Sequence, residues 1–374
     1  MSKRLRISVI GVKGYPYVYG GYETFIKEIS ERLIKKNCHV TIYCHKSLFI
    51  NKPNIIKGIN LVYIPTIETK ILSQPIHSFF SIIHCCFSKC DIILAVNSAN
   101  GPLGLITRIF NKPTVINVDG LEWLRPKWKG LGSIYFKWAS KMATIFFDQI
   151  ISDSNEMREV YLELFKKNSK VIAYGANIRK SIKPDLIKTW GLNIREYYLV
   201  VGRLIPDNNA DLIINGFLST KSKKKLVIVG DVTYKDKYAN NLKSINDKRL
   251  VFTGYVNNQE VLAELYHNCY VYIHGHQYGG TNPTMIKALA YQTAILALET
   301  SFNKEMLQNE RFGLFFKKQV KSVCEMINYC ENKISLINEL RLNSINGITK
   351  KYDWDFITQD YLEVFRNLVQ KGKK

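Results

Sequence analysis

At 374 residues, with 46% hydrophobic and 22% charged side chains, the chain is long enough for two domains with cores of their own and too apolar to be disordered. A formal net charge of +22 turns it toward polyanions: nucleic acid, anionic lipid headgroups or a phosphorylated substrate. The lysines and arginines are spread along the whole chain rather than massed in one block, which disfavours a nucleic-acid partner.

Lys3-Arg4 leads straight into the apolar run Leu5–Ile10, with no signal-peptide pattern, so a cytoplasmic protein is expected. The 8 cysteines show no repeated CxxC spacing, which fits reduced thiols and counts against a zinc site. Short β-branched runs then predict strands at Ile7–Ile10, Val40–Tyr43, Leu61–Ile64, Ile92–Val96, Thr114–Val118, Gln149–Ser152 and Val171–Ala173. Between the first two, Tyr22–Lys36 has helical spacing, with Phe25, Ile29, Leu33 and Ile34 on one face. The apolar stretch from Ile76 to Val96 is broken by Lys89 and Asp91, so it divides into a helix (Ser78–Phe87) and a strand rather than crossing a bilayer. That helix is either core or a surface that lies on an anionic membrane.

A polar, Lys-rich passage from about Ile178 to Glu196 reads as a linker. Beyond it come strands Tyr198–Val201, Leu226–Val229, Leu250–Phe252, Tyr270–Ile273 and Ala294–Leu298. A final helix spans Phe356–Val369, with Ile357, Tyr361, Val364, Phe365 and Leu368 on one side. The rhythm is that of an α/β protein made of two doubly wound, Rossmann-like domains with a cleft between them. Ligands of such sheets sit beyond the carboxyl ends of the strands.

Four stretches could carry chemistry. The loop after the first strand, Gly11–Phe25, has Gly14, Gly20 and Gly21 for close backbone approach and Glu23 in the first helical turn. It is not a GxGxxG, and Tyr43-Cys44-His45 ends the second strand where a dinucleotide site needs an acid, so that reading is poor. Asn117–Trp128 (NVDGLEWLRPKW) puts Asp119 and Glu122 at a strand end, where a hydroxyl could be held or deprotonated. Trp123 and Trp128 offer faces on which sugars pack, although the whole loop could equally be turn residues. In Val201–Ile214, Arg203 comes directly off a strand, where its guanidinium could grip a diphosphate or form a salt bridge between domains. Last, HGHQYGGTNPTMIKALA (His274–Ala290) runs from strand through Gly279-Gly280 to a helix opened by Asn282-Pro283, an arrangement that bares amides to an anion. His274 and His276 alternate at the strand end, but no third ligand stands at a metal-binding spacing, so hydrogen-bonding roles are expected of them.

With those stretches in hand, the chain resembles the bacterial family 4 glycosyltransferases and, within them, the polysaccharide rhamnosyltransferases. The motifs that carry the resemblance are GGYETF, NVDGLEW with KW following, AYGA (Ala173–Ala176), VGRLIPDNN and HGHQYGGTNP with ALA. The resemblance implies a GT-B fold: an acceptor-side domain over residues 1–178, a nucleotide-sugar domain over 179–350 and a last helix, 351–374, returning to the first. It implies a retaining transferase without metal or other cofactor, whose substrate is a nucleotide sugar, dTDP-L-rhamnose, and whose acceptor is a saccharide on undecaprenyl diphosphate. Arg203 and the backbone of Gly280, Thr281 and Asn282 would then hold the donor diphosphate, with Asn208, His276, Gly279 and Lys287 around them and Gly20 and Gly21 approaching from the other domain. Asp119 and Glu122 would face the acceptor or the transferred sugar in a catalytic role. The chain departs from the broad family's two-glutamate signature, with Gly279 at the first position, as in the rhamnosyl subgroup, and Lys287 at the second. A lysine cannot accept the ribose hydrogen bonds that a glutamate takes there. Asn208 likewise stands where the broad family has a phosphate-binding lysine.

The resemblance and the basic surface together predict a cytoplasmic enzyme lying peripherally on the anionic inner face of the membrane, with no nucleic-acid partner. Two other readings stay open: a family 4 transferase using another nucleotide sugar, and a non-catalytic membrane- or polyanion-binding relic of the fold.

Overall fold

A computed structural model describes residues 4–16, 20–67, 69, 72–126, 128, 130–232 and 236–372. Lys127 of the KW pair, part of the loop before Gly20 and the last two lysines lie outside the described residues. The chain forms two compact units, Met1–Gly175 with Lys351–Lys374, and Ala176–Lys350.

The first unit is built on an eight-stranded sheet: β1 (Arg6–Ile10), β2 (His39–His45), β3 (Ile55–Ile56), β4 (Ile59–Ile64), β5 (Ile92–Val96), β6 (Thr114–Val118), β7 (Gln149–Ser152) and β8 (Lys170–Val171). Their order is β3-β4-β2-β1-β5-β6-β7-β8. Among the described residues only the β3–β4 pair is antiparallel. β5 and β6 are buried along their whole length because helices cover both faces of the sheet, so they read as unbroken apolar runs. The β3–β4 hairpin turns on Lys57-Gly58, both at positive φ. β8 ends before the expected Val171–Ala173, and Ile172, Ala173 and Tyr174 continue as buried irregular chain.

Helix Gly21–Lys35 buries Phe25, Ile26, Ile29 and Leu33, so Ile26 takes the place expected of Ile34. The C-terminal helix, Trp354–Lys371, packs on it through Trp354 and Tyr361, whose rings lie 6.5 and 5.3 Å from Phe25. Each such buried aromatic or aliphatic side chain contributes about 1.5–3 kcal/mol. Helix Ser73–Phe87 starts earlier than expected and faces inward with its more polar side: His77, Ser78 and Ser81 are buried, while Phe79, Phe80 and Phe87 are exposed. The His77 ring stacks on His45 at 3.9 Å.

The second unit has six strands, all parallel: β9 (Tyr197–Val201), β10 (Lys225–Val229), β11 (Leu250–Gly254), β12 (Val271–His274), β13 (Ile295–Leu298) and β14 (Leu314–Phe316), in the order β11-β10-β9-β12-β13-β14. Its core gathers Tyr198, Ile213, Ile214, Phe217, Leu226, Ile228, Ile273 and Leu296. The passage 178–196 is packed onto this unit rather than hanging as a linker. Glu264 accepts the amides of Ile182 and Lys183, both at 2.7 Å, and the Ser181 hydroxyl, while Ile187 is buried. Those hydrogen bonds hold the Glu264 carboxyl below its ordinary range despite the opposing effect of burial.

Candidate functional site

In the second unit the chain leaves β9 toward β10 and β11 on one side, then crosses to β12 on the other, so the strand order reverses between β9 and β12. Ligands of open α/β sheets collect at such a point. Arg203 follows β9, and the loop from Gly275 to Asn282 follows β12. The Arg203 side chain is exposed and makes no ion pair among the described residues.

The loop carrying Arg203 is braced by its neighbours. Asn208 donates from Nδ2 to the Arg203 carbonyl at 2.8 Å, and its Oδ1 lies 2.9 Å from His276 Nδ1. Asn209 donates to the Gly275 carbonyl at 2.8 Å. Gly275 is required here, since a Cβ would stand 2.3 Å from the Asn208 carbonyl oxygen. Asn208, in the place of a phosphate-binding lysine, therefore acts as a strut between the two loops.

Gly279, at φ 152°, and Gly280 are buried, and their amides have no acceptor among the described residues. Helix Pro283–Ala290 begins immediately after, capped by Asn282 Oδ1 on the Thr284 amide at 3.0 Å. The Asn282 amide itself lies 3.3 Å from the Met306 sulfur, a weak acceptor that an anion could replace. Thr281 is buried beside it. Bare amides beside a helix N-terminus make a corner suited to an anion, and Asn208 ties the loop that carries Arg203 to it through His276.

Beneath the corner runs a polar chain. His274 Nδ1 lies 2.8 Å from the Tyr272 hydroxyl, which donates to Thr284 Oγ1 at 2.9 Å, which donates to Asn282 Oδ1 at 2.7 Å. Burial lowers the His274 pKa to about 3, which keeps the ring neutral. The His274 and His276 rings lie 6.1 Å apart, and no group of three or more metal-ligating side chains stands together among the described residues. Lys287 reaches to the neighbouring helix Gln259–Asn268, where its ammonium donates to Gln259 Oε1 at 3.2 Å.

In the first unit the sheet reverses between β1 and β5, and Asp119 and Glu122 follow the neighbouring β6. Asp119 accepts from the Tyr22 hydroxyl at Oδ1 and lies 3.1 Å from the Tyr174 hydroxyl at Oδ2. Burial, assisted by the nearby Glu122 carboxylate, raises the Asp119 pKa against the pull of Tyr22 and Arg125. Glu122 is buried and held on both oxygens, by Arg125 Nε at 2.9 Å and the Trp128 indole N–H at 3.0 Å. It orders its own loop.

The tryptophans are not the open sugar platforms expected from the sequence. Trp123 is buried edge-on to Phe165, and Trp128 packs on Phe136 with ring centroids 4.8 Å apart. Gly20 and Gly21 open helix Gly21–Lys35, where Glu23 folds back so that its carboxylate lies 3.4 Å from the Lys13 amide. A phosphate arriving at those glycines meets that carboxylate. Tyr22, Asn117, Tyr174 and Tyr361 were not singled out as site residues by sequence reasoning. Tyr22 and Tyr174 stand inside quoted motifs, yet 97 and 55 positions separate them from Asp119, and no local spacing reports their convergence.

Residues 184–345 match the family of glycosyl transferases group 1, and residues 106–177 match a domain of unknown function, DUF1972. No curated protein matches. Among solved structures the chain is similar to a sucrose-phosphate synthase from Thermosynechococcus elongatus, at 17% identity and a TM-score of 0.83, covering 98% of this chain and 100% of that one. It is similar to Anabaena HepE in complex with UDP, at 16% identity and a TM-score of 0.77, covering 97% and 100%. It is also similar to WaaG, a glycosyltransferase involved in lipopolysaccharide biosynthesis, at 13% identity and a TM-score of 0.72, covering 96% and 99%. Taken together, the fold shared along the chain is of the GT-B type, and the match to glycosyl transferases group 1 covers residues 184–345, within the second unit.

Proposed function

We propose that the chain is a retaining transferase that moves L-rhamnose from dTDP-L-rhamnose to a saccharide on undecaprenyl diphosphate, in assembly of a cell-surface polysaccharide such as an O-antigen or capsule. The observation that carries this reading is the anion corner of the second unit: the uncommitted Arg203 and the unaccepted amides of Gly279 and Gly280 beside a helix N-terminus. A leaving diphosphate gathers negative charge as the bond to the sugar breaks. Donors fixed in place before the reaction stabilise that charge without reorganising, and losing one such donor costs about 10²–10³ in rate. In this reading the guanidinium and amides supply the positive charge, and no metal or other cofactor takes part. HepE, which shares the fold, is described in complex with UDP and with UDP-glucose, in keeping with a nucleotide sugar as donor. The rhamnosyl assignment rests on the motif resemblance, in which Gly279 occupies the first signature position.

The lipid-linked acceptor is supported by a surface of the first unit. No helix of the described residues is long and apolar enough to cross a membrane. Large apolar side chains nonetheless stand out from three helices, with Phe87 76%, Ile109 70%, Leu131 84% and Ile134 66% exposed. Lys89, Arg108, Lys137 and Lys141 are exposed along the same segments. Apolar side chains flanked by cations are what an anionic bilayer surface attracts, which supports reading the enzyme as peripheral on the cytoplasmic face of the membrane.

A second reading, another nucleotide-sugar donor, is favoured by one observation: Lys287 is tied to Gln259, so ribose recognition differs from the two-glutamate pattern. The test is incubation with radiolabelled dTDP-L-rhamnose and membranes, looking for label in lipid-linked product. Thermal shifts with dTDP-L-rhamnose and UDP-sugars identify the donor, since a ligand at 100 times its Kd stabilises by about 2.7 kcal/mol. Vesicle binding with neither transfer nor stabilisation by any nucleotide sugar would leave the relic reading in its place.

A further inference from the structure

The polar chain beneath the corner runs in one direction, and a backbone amide sets that direction. Asn282 Oδ1 caps its helix by accepting the Thr284 amide at 3.0 Å. An amide N–H can only donate, so the oxygen of the Asn282 side chain, not its nitrogen, faces Thr284. The same oxygen lies 2.7 Å from Thr284 Oγ1 and carries no hydrogen, so the hydroxyl proton belongs to this contact. Thr284 Oγ1 must then accept from the Tyr272 hydroxyl at 2.9 Å. Tyr272, its only proton committed, must accept from His274 Nδ1 at 2.8 Å. Tyr266 does not compete for these protons, since its own hydroxyl donates to the Thr284 carbonyl at 3.1 Å. Reversing any link sets two lone pairs or two hydrogens face to face. One arrangement fits, with a proton on His274 Nδ1 whether or not the ring is charged.

With Oδ1 held by two donors, Asn282 can turn only its Nδ2 hydrogens away from the helix. The residue is half-buried, and Nδ2 meets no acceptor among the described residues. Its backbone amide has only the Met306 sulfur, a weak acceptor. We infer that the Asn282 side-chain amide is a further donor to the diphosphate of the nucleotide sugar, and that Thr284, Tyr272 and His274 are positioning residues that keep its hydrogens toward the ligand.

The donor role rests on the anion corner proposed above; the direction of the chain does not. A free asparagine amide turns over readily and offers oxygen or hydrogen alike, and an oxygen beside a diphosphate repels it. The chain from His274 removes that ambiguity. Asp, Ser and Thr also cap helices, but asparagine alone accepts with one atom while presenting two hydrogens on another. The guanidinium of Arg203 then supplies charge, and Asn282 a neutral donor of fixed direction.

Asn282→Ser and Asn282→Asp keep a capping oxygen and remove Nδ2, so they separate the cap from the donor. In calorimetric titrations of dTDP and UDP, affinity is expected to fall about ten- to a hundredfold in Asn282→Ser, the size of one hydrogen bond to a charged group. It should fall further in Asn282→Asp, where a carboxylate meets the phosphates. Melting temperatures should stay within about 2 °C of the wild type, because the three residues cap comparably. Unchanged affinity in both variants overturns the donor role, and so does an affinity that falls only as far as stability falls. Nitrogen-15 NMR of histidine-labelled protein near pH 7, with His274→Gln assigning the resonances, tests the chain itself. The expected proton is on Nδ1; a proton on Nε2 alone overturns the chain. Thr284→Val keeps the capping amide and removes the hydroxyl, so Tyr272 should turn its proton to His274 Nδ1 and the ring proton should move to Nε2. A ring that stays as in the wild type refutes the link between His274 and the helix. If the wild type binds neither nucleotide, the corner and the role of Asn282 fall together, while the NMR still decides the chain.

Discussion

The polar centres of the two units are built in opposite ways. Around Asp119 the polar groups meet partners inside the protein: the Tyr22 and Tyr174 hydroxyls close on one carboxyl, and Asn117 links Tyr174 to Tyr361 behind them. Around Gly279 the loop is braced from beneath and from the side, yet its own amides and the guanidinium of Arg203 are left unused. A closed network contributes rigidity; an open one keeps its binding capacity for something that arrives. Damage to the first should therefore appear in stability, and damage to the second in activity.

The strongest way to break that contrast is Arg203→Ala. We expect kcat/KM for sugar transfer to fall by about a hundredfold or more, because a charge-assisted donor to the leaving group is gone. The melting temperature should stay within about 1 °C, since the exposed guanidinium makes no ion pair among the described residues. Arg203→Lys should restore part of the rate, as a point charge replaces the fork. A variant that melts early instead would mean that Arg203 is structural. The mirror experiment is Tyr174→Phe, which leaves buried polar partners unmet. Here chemical denaturation should show a loss of about 1–3 kcal/mol. A fall in activity with no fall in stability would erase the distinction between the two centres.

How much of this is legible in the sequence follows the same line between local and distant. Buried parallel strands such as Ile92–Val96 and Thr114–Val118 announce themselves as apolar runs, because both faces are covered. β3 and β14, at two and three residues, are too short to show a period, and Lys57-Gly58 is not a dipeptide that signals a hairpin. Composition marks the helix ending at Phe87 as apolar, but the stack of His77 on His45 decides which side faces inward. The anion corner reads well because Gly279-Gly280, Asn282 and Pro283 act through their own backbone. The fate of Trp123 does not, since Phe165, which buries it, lies far along the chain. Nor does the tie between Asn117 and Tyr361, 244 positions apart.

His274 lets acid probe the floor of the open corner. Its folded-state pKa is about 3, against an ordinary value near 6.5, so between those values the unfolded chain takes up a proton that the folded chain refuses. Stability from this group is complete above about pH 6.5 and is lost progressively as pH falls toward 3. At pH 5.5 the loss should be about 1.4 kcal/mol relative to neutral pH. Melting curves of the wild type and His274→Gln at pH 7.5, 6.5 and 5.5 measure it. The variant should start lower and decline less over this interval; parallel declines would show that the buried imidazole is not the group responsible.

The smallest effect is expected from Lys287→Glu, and it bears on how complete the open corner is. The lysine is bound to Gln259 in the first turn of helix Gln259–Asn268, where a helix N-terminus tolerates a carboxylate. Stability should therefore change by no more than about 0.5 kcal/mol. A glutamate regains two acceptors for ribose hydroxyls, and exposure of the site limits the benefit to about three- to tenfold in nucleotide affinity. Calorimetric titration of dTDP and UDP into both proteins reads this directly. Tighter binding would mean that the corner grips the diphosphate but holds the nucleoside loosely. Weaker binding would mean that the ammonium leaves Gln259 for the phosphates when the donor arrives, so that the corner has two cations, not one, to set against a leaving group.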